Sequence, residues 1–209
     1  MEKYLFMRGV LKRLAEDRFL CRGVAIGLKV GAAMIVLFSL TTFFSAGRLI
    51  FDLSANGIPG GVLFEVFYVL AVYAAAHTLL LRSQDADAVR SGEFVALRLA
   101  PVVIRGLAEA YAAFVALVAI GGGLFVWFTN LGVEKVLDPV TRSFFPTVRE
   151  NPSFMGGIEF MVSGVVTAFA VLLVAYVLAE ALQFATRSLR PAEAVRNGAE
   201  DRLRARFGS

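Results

Sequence analysis

Four long apolar stretches, residues 24–46, 61–81, 102–128 and 156–185, constrain this sequence more than anything else in it. A bilayer core about 30 Å thick takes roughly 20 apolar residues in a helix, and a backbone in hydrocarbon must bond to itself. The stretches therefore predict four transmembrane helices, the last of them tilted or projecting because of its length. Alternating strands of about ten residues, which a transmembrane barrel needs, are missing from the sequence pattern. Of the 209 residues 58% are hydrophobic and 18% charged, against roughly 45–50% and about 25% in soluble domains, so a water-facing globule is excluded. The first stretch is longer than the apolar core of a signal peptide, about 7–15 residues, and is read as a retained helix.

Direction follows from Lys and Arg, which stay on the cytoplasmic side. The N-terminal flank, the connection after the second stretch together with Arg105 just inside the third, and the C-terminal tail hold 16 of the 21 basic residues. Both termini are thus expected in the cytoplasm, with the chain in the plasma membrane, the inner membrane of a bacterium. The net charge of +4 is explained by this topology, so a nucleic-acid partner is not expected. The single cysteine, Cys21, has no disulfide partner and reads as a reduced structural thiol.

The predicted fold is an all-α integral membrane protein, a four-transmembrane-helix bundle over residues 24–185. An N-terminal interfacial amphipathic helix precedes it over residues 1–23, where Tyr4, Met7, Leu11 and Leu14 recur at helical spacing among basic residues. A cytoplasmic C-terminal helix follows over residues 186–209, set off by a break or bend at Ser188 to Pro191. The basic flanks make anionic lipid headgroups a partner. Residues 82–101 read as a short interfacial helix between two spans, with Pro101 in the first turn of the third. The outer connection, 129–155, carries Pro139, Pro146 and Pro152 with Phe144, Phe145 and Phe154, a pattern for a segment that caps the outer helix ends or rests on the membrane.

Ionisable residues inside spans are costly and are the first candidates for function. Lys29, His77, Glu109 and Glu180 come one from each helix and at similar depths near the cytoplasmic side. If their faces turn inward they form a polar cluster, either a lock for the bundle or an inner vestibule. Glu65 and Glu159 lie near the outer ends and are read as outer carboxylates. Close helix packing is expected at Gly27 and Gly31, a GxxxG pair, at Gly121, Gly122 and Gly123, and at Gly164.

No HExxH, CxxC, Walker-type or GxSxG pattern occurs, and one histidine cannot supply paired imidazoles. No catalytic residue, metal site or cofactor is therefore assigned. The expected role is a non-catalytic subunit or assembly component of a membrane complex, in contact with other membrane subunits or with copies of itself. The alternative is an oligomeric ion or proton channel, or a small transporter, with the polar cluster at its inner mouth.

Overall fold

The computed structural model describes the backbone of residues 17–89, 95–145 and 152–207, and the side chains within those ranges from 18 to 188. It is all-helical, with no strand among the described residues. Four helices are long and apolar enough to cross a membrane: α1 (Asp17–Asp52), α2 (Ile58–Ala88), α3 (Val95–Thr129) and α5 (Phe154–Phe207), with a single-turn helix α4 (Pro139–Arg142) before the last. Large apolar side chains such as Phe44, Phe169 and Phe184 point outward on α1 and α5, a surface that fits a membrane protein and not one facing water.

Helices α1, α2, α3 and α5 run alternately up and down. At the basic end α1 starts, α2 gives way to α3, and α5 runs out; at the loop end lie the α1–α2 turn and the connection after α3. The packing order is α5, α3, α2, α1, with only slight contact between α1 and α3. The bundle is thus open, with α3 at its centre.

Three consecutive glycines explain how α3 fills that place. Successive helical residues point about 100° apart, so Gly121, Gly122 and Gly123 slim the helix on three sides at one level. A Cβ at Gly121 would fall 2.6 Å from Phe67 Cβ of α2; one at Gly122, 2.6 Å from Phe160 of α5; and one at Gly123, 2.7 Å from the Gly157 carbonyl oxygen. A Cβ at Gly164 of α5 would collide with Ala119 of α3. The helix passes through the glycine run unbroken. Gly31 touches Leu79, but nothing stands within 4 Å of a Cβ at Gly27, so the GxxxG pair is not a packing motif within the chain.

Several sequence expectations change. The amphipathic stretch up to residue 16 lies outside the described residues, and residues 17–23 already belong to α1. Of the stretch expected as an interfacial helix, residues 82–88 belong to α2, which continues to Ala88, and residues 95–101 belong to α3, which begins at Val95. Pro101 lies inside α3, not in its first turn. The helix of α5 also continues through Pro191 to Phe207. Good helix formers on both sides, Ala, Glu and Arg, offset a proline that costs about 3 kcal/mol.

Substitution separates the two glycine types. Gly164→Leu should destabilise the protein by about 1–3 kcal/mol through overpacking, whereas Gly27→Leu should stay within about 0.5 kcal/mol of the parent. Thermal unfolding in detergent measures both; equal effects would contradict the packing described.

Candidate functional site: an inserted connection and a mid-span cleft

The connection after α3 turns back into the bundle. Asn130 adopts the left-handed conformation, φ 53°, and ends α3 as such residues do. A 3-10 turn (Val133–Lys135) follows. Val133, Val136, Leu137 and Phe145 are buried in the same core as Phe64, Tyr68, Phe125 and Phe160. Tyr111, roughly five turns below the loop end of α3, donates a hydrogen bond to the Phe144 carbonyl at 2.8 Å. The segment expected to cap the outer surface is therefore an inserted wedge among α1, α2, α3 and α5, occupying the side that the open packing order leaves unfilled.

Asp138 holds the wedge. It is the N-cap of α4, and Pro139 occupies the first turn, where a missing N–H does no harm. Asp138 Oδ1 accepts from the backbone N–H groups of Val140 and Thr141 at 2.8 and 3.1 Å. Oδ2 accepts from the hydroxyls of Thr141, at 2.6 Å, and of Thr42 on α1. These four donors fill the acceptor positions of a carboxylate. Burial works against ionisation of Asp138, but the hydrogen bonds from Thr141, Thr42 and the backbone outweigh it and hold the carboxyl below its usual range.

Beneath α4 lies a cavity of about 720 Å³. Met34, Phe38 and Ser39 of α1, Tyr68 and Leu79 of α2, and Leu107, Tyr111 and Phe114 of α3 line it, with Asp138, Val140, Thr141 and Phe144 as its ceiling. All of the helical lining falls near the middle of its helix.

A second polar centre lies at the basic end. Arg82 of α2 grips Glu109 of α3 with two hydrogen bonds, Nε to Oε2 at 2.8 Å and Nη2 to Oε1 at 2.5 Å. It also donates to Asp85 at 2.9 Å. Tyr176 of α5 donates to Glu109 Oε1 at 2.6 Å, and the Arg105 guanidinium lies 5.0 Å from the centre of the Tyr176 ring. Gly106 makes room for the arginine, since a Cβ there would stand 2.9 Å from Arg82 Cγ. The network ties three helices together.

Of the four residues expected to meet, only Glu109 belongs to this network. Lys29 pairs with Asp87 at 3.8 Å, both half exposed. His77 stacks on Tyr73, ring centres 5.5 Å apart, on an exposed face of α2. Glu180 is exposed on α5. No ion pair joins any two of the four among the described residues. Outward-facing positions on α2 and α5, and a closer carboxylate for Lys29, explain the separation. Of the outer carboxylates, Glu65 buries Oε1 without a hydrogen-bond partner in the space that Gly47 leaves, and Glu159 is half-buried near the start of α5. No group of three or more potential metal-binding side chains converges among the described residues.

Sequence reading missed Arg82 because the second span was ended at Leu81, and it missed Asp138 because a loop aspartate outside any span carries no cost in hydrocarbon. The Asp138-Pro139 pair, an N-cap followed by a first-turn proline, was the available signal. No family model, curated protein or solved structure matches the chain.

Two outcomes test the polar ties. Thr42→Val keeps the side-chain volume but removes the anchor of Asp138 on α1, at a cost of about 1–3 kcal/mol; Asp138→Ala removes the cap as well and costs more. A Val136→Cys reporter should react with a membrane-impermeant maleimide faster in the first variant and faster again in the second, and unchanged rates would contradict the insertion. At the basic end, Glu109→Ala should destabilise more than the double replacement of Arg82 and Glu109 by Met, because a charge left without its partner is worse than no charge.

Proposed function

We propose that the chain is a polytopic subunit or assembly component of a membrane complex and carries out no catalysis itself. It sits in the bacterial inner membrane with both termini in the cytoplasm, in the orientation that 16 of its 21 basic residues favour. At the cytoplasmic surface the basic flanks meet anionic lipid. The helix of α5, 54 residues long, reaches roughly 80 Å at 1.5 Å per residue, so its C-terminal part projects beyond the bilayer and offers a cytoplasmic contact.

The observation that carries this reading is the outward placement of His77. It lies well inside a span on an exposed face, with the ring of Tyr73, itself 64% exposed, as its neighbour. Ionisable groups in spans face a bundle interior or a partner, because hydrocarbon offers them nothing. A neighbouring helix against the Tyr73–His77 face supplies what the chain itself does not. Conduction through the single chain is disfavoured by its filled centre, where Phe64, Tyr68, Phe125, Val115 and Val118 are at most 2% exposed.

The test is site-directed photocrosslinking in intact membranes, with the photoreactive residue placed at position 77 and, as control, at Phe169. A crosslinked species of one defined mass from position 77 and none from 169 is the expected result. Protein that stays uncrosslinked at 77, together with proton flux in liposomes that Glu109→Gln abolishes, would replace the subunit reading with a channel.

A further inference from the structure

The cleft beneath α4 opens sideways. Phe38 of α1, Leu107 of α3 and Val140 of α4, all in its lining, are 61%, 54% and 61% exposed, whereas Tyr68, Ala75 and Leu79 of α2, at its back, are 2–3% exposed. Phe38 and Leu107 lie near mid-length of α1 and α3, so the mouth is well away from both ends of the bundle. It lies between α1 and α3, which pack against each other only slightly.

The walls carry little free polarity. Ser39 and Thr41 donate to the carbonyls of Val36 and Phe38, both at 2.7 Å. Tyr68 donates to the Ser39 carbonyl at 3.3 Å, and Tyr111 and Thr141 donate to Phe144 and Asp138. Every hydroxyl proton of the lining is therefore committed, and the four acceptor positions of Asp138 are filled. The volume, about 720 Å³, falls within the roughly 300–1,000 Å³ of ligand sites. Apolar walls give water few partners, and a space left empty deprives its walls of dispersion contacts.

We infer that the cleft is the seat of a hydrocarbon chain, the acyl tail of a membrane lipid, which enters between α1 and α3 and ends beneath α4. The tail fits because the mouth faces where lipid chains are and because the walls present no free donor, while the one carboxylate among them, Asp138, has its acceptor positions filled by Thr42, Thr141 and the backbone. The ceiling of the cleft is the inserted connection itself, so an occupied cleft stabilises the wedge by mass action. This inference rests on insertion in a membrane but not on the subunit role.

Purified protein in phosphatidylcholine vesicles whose acyl chains carry a diazirine, irradiated and mapped by mass spectrometry, tests it. Phe169, exposed on α5, reports contact with surrounding lipid; Tyr68 and Leu79 report entry into the cleft. The wild type should label at all three. Ala75→Phe, and the milder Ala110→Leu in case the first does not fold, add bulk to the lining and should lower labelling of Tyr68 and Leu79 about fivefold or more, with Phe169 unchanged. Label at Phe169 without label at Tyr68 and Leu79, or cleft labelling that neither variant reduces, overturns the acyl site. Absence of label at Phe169 contradicts the membrane reading and the site with it.

Discussion

A chain that turns back into an apolar interior must bring hydrogen-bond partners for its own backbone, because neither hydrocarbon nor packed side chains provide them. Residues 130–145 meet this demand from within. Asp138 bonds two of the N–H groups of α4, the 3-10 turn and the Thr129 hydroxyl satisfy neighbouring groups, and Tyr111 reaches up to the Phe144 carbonyl. One further bond, from Thr42 on α1, joins this folded unit to the helix on the far side of the opening. Without the wedge the apolar faces of Phe64, Val115 and Phe160 would lose the side chains that now cover them at the loop end.

The two ends of the molecule are secured by different physics. At the loop end close backbone approach dominates: the three glycines of α3 let α2 and α5 come in on separate sides, and Trp127 stacks on Phe154 while its N–H bonds the Phe154 carbonyl at 2.9 Å. At the basic end a charge-assisted network performs the same task, with Arg82, Glu109 and Tyr176 contributed by α2, α3 and α5. Between the two anchorages the walls of α1 and α3 separate, and there the cleft lies. Tight ends with a slack middle place an apolar cavity near mid-length of the long helices.

The sequence made the spans legible because length and hydropathy alone decide them, and the close-packing glycines of α3 and α5 were legible because small residues mark tight contacts. Helix ends were less so: Arg82 to Ala88 is polar enough to read as a loop, yet α2 runs through it, and α3 begins at Val95, ahead of the proline that marked its expected start. The grouping of Lys29, His77, Glu109 and Glu180 by depth ignored their direction around each helix, and direction separates them. The largest surprise, the inserted connection, was hidden because its burial depends on how little α1 packs against α3 and α5, a tertiary property that no local pattern of residues 130–145 carries.

Residues 130–145 insert into the bundle through Val133, Val136, Leu137, Thr141 and Phe145, each at most 7% exposed, and do not merely cap its outer surface. Hydrogen–deuterium exchange of the full chain in lipid nanodiscs measures this insertion directly, through the peptides that cover residues 136–145. The amides of Leu137, Val140, Thr141 and Arg142, all hydrogen-bonded in the wedge, should exchange as slowly as those at the centre of α3. Complete exchange of this stretch while α3 remains protected would contradict the account.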